Sequence, residues 1–315
     1  MAFRISDATL FNNAVRNTRL NRFELSQIQS QFSSGKRVNS VGDDPSAASQ
    51  ILGLRRGLGR IEQFERNIET ARAALEPTES ALASLTDALT RLRELAVSAD
   101  IEEAEFDQIR VEVEQIFDTV VALANTSVNG RALFGGFVTD ALPFTKTGDF
   151  SDGADAPPPS TSYIGDNGVF QIQIGEATTV AANVSGREVF LGSTDGDDTP
   201  DPPNVDLFDT IRELRNRLRD PSANGPPAGT LDDLDAALDQ VLKARGTVGA
   251  TLNRLDMTHA QLQSLEVTLE THRSSLEDLD IIAAATELQS RENVYQASLA
   301  VTARVIQPSL LDFLR

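Results

Sequence analysis

The stretch SSGKRVNSVGDDPSAAS, Ser33 to Ser49, sets Lys36 and Arg37 a few residues ahead of Asp43, Asp44 and Pro45. It admits two readings: a glycine–lysine loop that cradles phosphate, or a joint between two helices. A phosphate loop needs a further glycine upstream and a Ser or Thr directly after the lysine. Ser30 and Arg37 stand in those places, so the motif fails. As a joint the stretch is consistent throughout. Asp44 can cap the backbone N–H groups of a following helix, Pro45 suits the first helical position, and the negative charge favours the positive helix end. Ser33 to Asn39 then forms an extended link.

Beyond Pro45 the chain is periodic. Leu54, Ile61, Ile68, Leu75, Leu82, Leu89 and Ala96 recur every seven residues, with Phe64, Ala71, Leu85 and Leu92 at the second apolar offset. Such a repeat keeps one apolar stripe along a gently supercoiled helix. Pro77 falls inside the run and, lacking an N–H, is expected to kink or split it. After a turn near Asp100, Phe106, Ile109, Val113, Ile116, Val120 and Leu123 mark a second helix, and the short link favours an antiparallel pair.

The middle of the chain changes character. Asn129-Gly130 is a turn signal, and NGRALFGGFVTDALPFTKT and VFQIQIG alternate apolar with polar residues. REVFLG follows another glycine, and the whole of Gly130 to Gly192 reads as β-rich. The Pro/Asp-rich loops GDFSDGADAPPPS and GSTDGDDTPDPPN read as exposed and mobile.

Helical pattern returns with VDLFDTIRELRNRLRD and ends at Pro221. From Leu231 no strong breaker appears until Pro308; an unbroken helix there would be roughly 110 Å long. Leu255, Leu262, Leu269 and Leu276 recur at seven, with Leu265 and Leu279 between, and past Ala283 the stripe shifts to Leu288, Tyr295, Leu299 and Ile306. A shift of this kind marks a stutter or a change of packing environment. The N-terminal segment carries a weaker stripe, Phe11, Ala14, Thr18, Asn21, Leu25, Ile28 and Phe32. With Thr18 and Asn21 in the seam, this helix needs a partner. The expected fold is mainly α: a long antiparallel helical coiled-coil bundle formed by both chain halves, with a small central β-rich insert.

The 315 residues carry a net charge of −19, which argues against nucleic acid or an anionic membrane as partner. Cysteine is absent, so disulfide and thiolate chemistry are excluded. The first fifteen residues lack the apolar core and cleavage site of a secretory signal, and no apolar run is long enough to span a membrane. Asp195, Asp197, Asp198, Asp201 and Asp206 suggest a calcium loop, but Pro200 sits where that loop needs glycine and Asp206 replaces its glutamate. His259 and His272 are too far apart to form a helical ligand pair. No nucleophile elbow is present. The residues point to no catalytic group, no metal and no cofactor.

Taken together, SSGKRVNSVGDDPSAAS after an N-terminal helix, the long heptad helix, the central insert and the returning C-terminal helix resemble the bacterial flagellin superfamily. Within it, NGRALFGGFVTDALPF, YIGDNG…FQIQIG and the SLLDFLR ending resemble the junction members that stand between hook and filament. The resemblance implies a non-enzymatic axial subunit, exported unfolded by the flagellar type III system and located on the extracellular flagellum. Its implied partners are a homo-oligomer ring, the first hook-associated protein, flagellin and an export chaperone. It implies an inner coiled-coil domain of residues 1–32 plus 282–315, carried by Phe11, Leu25, Ile28, Phe32, Leu288, Tyr295, Leu299 and Ile306. A spoke of residues 33–44 follows, with Ser34, Gly35, Lys36, Arg37, Asn39, Asp43 and Asp44, leading into Pro45. A helical rod of residues 45–136 plus 205–281 then carries an outer insert of residues 137–204, whose start is signalled by Gly130, Arg131, Phe134, Gly136, Pro143 and Phe144. Filament flagellin and a non-exported coiled-coil scaffold are the alternatives.

Overall fold

The computed structural model describes residues 7–101, 106–150, 159–220, 222 and 227–313. Six long or medium helices dominate: α1 (Asp7–Ser34), α2 (Pro45–Ile101), α3 (Phe106–Ala124), α4 (Leu207–Arg219), α5 (Leu231–Glu277) and α6 (Ile281–Phe313). Six short strands lie between α3 and α4: β1 (Ser127–Val128), β2 (Arg131–Ala132), β3 (Phe144–Thr147), β4 (Ser160–Tyr163), β5 (Gln171–Gly175) and β6 (Thr178–Ala181). The protein is mainly α with a small β insert, as its periodicities require. Its contacts divide into two compact units, Met1–Arg60 with Ser264–Arg315, and Ile61–Gln263.

In the first unit α1 and α6 run antiparallel. The two polar positions of the α1 seam find polar partners: Thr18 Oγ1 lies 3.1 Å from Thr302 Oγ1, and Asn21 Nδ2 donates to Ser298 Oγ at 2.5 Å. Arg291 pairs with Glu24 further along. Leu25, Ile28, Leu288 and Tyr295 are half-buried, while Phe32 and Leu299 are exposed. The side chains of Phe11 and Ile306 lie outside the described residues. A small apolar cluster of Val38, Ala47, Ala48 and Ile51 packs against Leu276.

The second unit holds the main core. Ile61, Ile68, Leu75, Leu82, Leu89 and Ala96 of the seven-residue repeat are all buried, as are Ile109, Val113 and Val120 of α3 and Leu255 and Leu262 of α5. Arg93–Asp235 at 2.6 Å and Arg245–Glu79 at 2.8 Å fix α2 and α5 as antiparallel here. Pro77 does not split α2, which is continuous from Pro45 to Ile101. The helical donor lost to proline would have served the carbonyl of Ala73, an exposed residue, where solvent can compensate. Buried Leu75, Thr78 and Leu82 hold the helix on either side.

The run that starts at Leu231 is interrupted before the register shift and is not ended by Pro308. The chain breaks between Glu277 and Ile281, where Asp280 Oδ1 accepts from the N–H groups of Ile282 and Ala283, both at 3.0 Å. That cap starts a new helix, and α6 then continues through Pro308 to Phe313.

Among the described residues the insert region forms three separate two-stranded antiparallel sheets, β1–β2, β3–β4 and β5–β6. Asn129 and Gly130, at φ 53° and 76°, make the two-residue turn between β1 and β2, the geometry that Asn-Gly favours. Arg187–Leu191, read from the sequence as part of the β-rich region, is a π-helical turn. Val189, Phe190 and Leu191 are consecutive and all buried, which an alternating strand cannot achieve. The Phe190 ring lies 5.2 Å, centroid to centroid, from each of Phe134 and Phe144, and Phe208 joins them from α4. Of the acidic loops, residues 151–158 lie outside the described residues, and Thr194 to Thr199 are exposed.

Candidate assembly site

The joint between α1 and α2 is held by a single buried carboxylate. Glu277, 1% exposed, ends α5. Lys36 Nζ lies 2.5 Å and an Arg55 guanidinium nitrogen 2.6 Å from Glu277 Oε1, and Arg273 Nε lies 3.7 Å from Oε2. Burial alone would raise the Glu277 pKa, but the hydrogen bonds from Lys36 and Arg55 outweigh it and leave it below the ordinary value.

The backbone closes the same junction. Gly35, at φ 70°, ends α1 in the left-handed conformation glycine adopts cheaply. Its carbonyl accepts from Leu279 N at 3.0 Å, while Arg37 N donates to the Glu277 carbonyl at 2.7 Å. Lys36 and Asp278 thereby form an isolated antiparallel bridge. The Arg37 guanidinium donates to the Leu276 carbonyl at 2.7 Å and reaches Asp44 at 3.4 Å. Gln31 Nε2 donates to the Arg37 carbonyl at 2.8 Å, and the Ser34 hydroxyl donates to the Gln31 carbonyl.

The two aspartates of the motif divide the remaining work. Asp43 Oδ2 accepts from the N–H groups of Asn39 and Ser40, at 3.0 and 2.8 Å, and closes a turn just after the link; of the Ser33 to Asn39 stretch expected to be extended, Ser33 and Ser34 belong to α1. Asp44 Oδ1 accepts from Ala47 N at 2.9 Å, the helix cap expected for α2, with Pro45 in the first helical position. The pKa of Asp43 is lowered chiefly by the Ser40 N–H and that of Asp44 by the Ala47 N–H.

The residues at the start of the insert serve a second cluster, within the second unit. Tyr163 OH donates within reach of the Phe134 and Asp166 carbonyls, at 3.0 and 2.9 Å. Gly136 has φ 67°, and a Cβ there would lie 2.1 Å from Asp166 Oδ1, so only glycine fits. Asn125 clasps the Phe144 backbone with two bonds of 2.9 Å, and Pro143 is buried beside it. The Arg131 guanidinium lies over the Phe170 ring, 5.4 Å from its centroid.

Sequence reasoning missed Glu277 and Asp280. The available signals were the end of the heptad series at Leu276 and the register shift that follows. The other candidate chemistry resolves into local structure. Asp206 accepts from the Phe208 and Asp209 N–H groups and caps α4, while Asp197 and Asp201 accept from Thr199 and Thr194 of their own loop. His259 stands 4.0 Å from Glu65, and His272 is exposed. Among the described residues no cluster of three or more His, Cys, Asp or Glu is placed to hold a metal, and no helix is long and apolar enough to cross a membrane.

Paired end helices, a joint locked at a helix break and a long helical core with a central insert define a flagellin-type helical subunit. The chain matches the bacterial flagellin N-terminal helical region over residues 5–139 and the bacterial flagellin C-terminal helical region over residues 231–314. It belongs to the bacterial flagellin family, whose members are structural proteins of the flagellum. It is 26% identical to flagellar hook-associated protein 3 of Salmonella typhimurium over 94% of both chains. It is 28% identical to flagellin of Bacillus subtilis over 96% of this chain and 98% of that one. In fold it is similar to a putative flagellar hook-associated protein from Vibrio parahaemolyticus, with a TM-score of 0.61 at 20% identity, covering 75% of this chain and all of that one.

Proposed function

We propose that this chain is a non-enzymatic axial subunit at the junction between hook and filament, a counterpart of hook-associated protein 3. It is exported unfolded and assembles as a ring bounded by the first hook-associated protein and by flagellin. The observation that carries this reading is the state of the paired end helices. Their seam is interrupted by polar pairs at Thr18–Thr302 and Asn21–Ser298, and Phe23 and Ile282 are left exposed at 67% and 82%. Apolar surface of this kind marks an interface awaiting cover, and neighbouring subunits supply it.

In this reading residues 1–32 and 282–315 form the inner layer, and residues 33–44 are the spoke that Glu277 anchors. Residues 45–136 with 205–281 form the outer rod, and 137–204 the insert. The similarity to Bacillus subtilis flagellin favours a second reading, a filament subunit. Deleting the gene separates the two. Filament protein shed into the medium is the outcome for a junction subunit, and loss of all filament protein identifies the chain as flagellin.

A further inference from the structure

The second unit contains a cleft of about 560 Å³ between α2 and the β1–β2 and β5–β6 hairpins. That size falls within the roughly 300–1,000 Å³ of small-ligand sites. Ala73 and Ala74 of α2, with Leu133 and Ile172 from the insert, give it apolar walls. Two consecutive alanines leave room where larger side chains on α2 would close the space. Phe170 also lines the cleft, but its ring is engaged by Phe137, edge-on at 4.9 Å, and by the Arg131 guanidinium. The cleft therefore offers aliphatic contact rather than aromatic stacking.

Charge is sparse at this cleft and positive on balance. Of the residues lining it, only Glu69 and Arg131 are ionic. Glu69 is engaged by Arg72 at 2.8 Å. Arg131 is exposed and has no carboxylate in ion-pair range among the described residues. The stretches that build the hairpin side, Asn125 to Thr139 and Asn167 to Gly175, contain no acid. The chain's net −19 thus lies elsewhere, and at physiological ionic strength exposed charges beyond about 8 Å are largely screened. The side-chain amides of Asn129 and Gln171, also at the cleft, form no hydrogen bond among the described residues and can donate beside Arg131.

We infer that this cleft binds a single aliphatic carboxylate of the fatty-acid class. Its alkyl chain lies along Ala73, Ala74, Leu133 and Ile172, and its carboxylate meets the Arg131 guanidinium. The match is one of chemistry: apolar walls with one free cation receive an apolar body with one anion at its end. A free molecule is the source, not an anionic bilayer, because the chain's net charge repels a whole anionic surface while a lone carboxylate meets only the local charge. The site lies wholly in the second unit and does not rest on the flagellar reading.

Dodecanoate, kept below its micelle-forming concentration, is titrated calorimetrically into the full-length chain. Dodecyltrimethylammonium, with the same tail and the opposite charge, is the comparison probe. The expected result is saturable binding of one dodecanoate per chain, tighter than the cation by about tenfold or more, although net charge alone favours the cation. Arg131→Gln is expected to remove that preference, and Ala73→Phe, which fills the cleft, to weaken both probes. Both substitutions fall at exposed positions, so the circular dichroism of the parent is retained. No saturable binding of dodecanoate, or a cation that binds the parent equally well, overturns the proposal without recourse to any variant. Variants that bind like the parent also overturn it. Self-association of the parent that dodecanoate abolishes assigns the cleft to a second chain and overturns it as well.

Discussion

Glu277 shows how one side chain decides a junction. Three cations converge on a carboxylate that water cannot reach, so removing its charge leaves them without a common partner. Lys36 and Arg55 are half exposed and can rehydrate, which keeps the loss below that of a fully buried pair. Glu277→Gln is expected to cost about 1–2 kcal/mol, read as faster hydrogen exchange at the Arg37 and Leu279 amides. Because the Glu277 pKa is depressed in the folded state, its contribution is present above the ordinary carboxylate range. It is lost as pH falls through the folded value. Asp206 has the opposite sign. Burial, reinforced by Asp209, pushes its pKa up to about 6, so the folded chain holds a proton there that the unfolded chain has released. Stability from this site falls as pH rises through the interval from the ordinary carboxylate value to about 6. Asp206→Asn keeps the cap without the buried charge. Its melting temperature at pH 7.5 is expected to equal or exceed the parent's, while Asp206→Ala loses about 1 kcal/mol.

Among the elements, α2 carries the clearest test. A proline within a helix costs about 3 kcal/mol relative to alanine, yet α2 is continuous through Pro77. Pro77→Ala is therefore expected to raise stability by about 2–3 kcal/mol, measured by denaturant titration with an unchanged slope. The heptad stripe was legible because each of its core residues sits on a single helix face, where spacing alone determines burial. The cap at Asp44 was legible for the same reason, since a cap is a contact between neighbours in sequence. The α5–α6 break was not. Glu277, Asp278 and Leu279 are all acceptable in a helix, and what stops α5 is the bridge from Gly35 and Lys36, supplied from the other end of the chain. Glu277 itself is one glutamate among many on helices, and its sequence neighbours do not announce its burial. Arg187–Leu191 misled for a third reason: a short apolar run fits a strand or a buried helical turn equally well.

At the scale of the whole molecule, the unit Ile61–Gln263 holds most of the buried apolar residues of α2, α3, α4 and α5 and none of the end helices. A chain lacking Met1 to Phe32 and Ile282 to Arg315 is expected to fold and to lose assembly. Circular dichroism and sedimentation check this, and an unfolded product counts against an independent core. The junction at Glu277 also imposes an order of events. Arg55 and Glu277 are 222 residues apart in the chain, so during synthesis the cationic half of the lock emerges long before its anionic counterpart. Any polypeptide stopped short of the end of α5 keeps Lys36 and Arg55 bare to solvent, and the α1–α2 turn stays loose. The lock thus doubles as a proofreading mark of length: only a chain that has been made past Glu277 can close it.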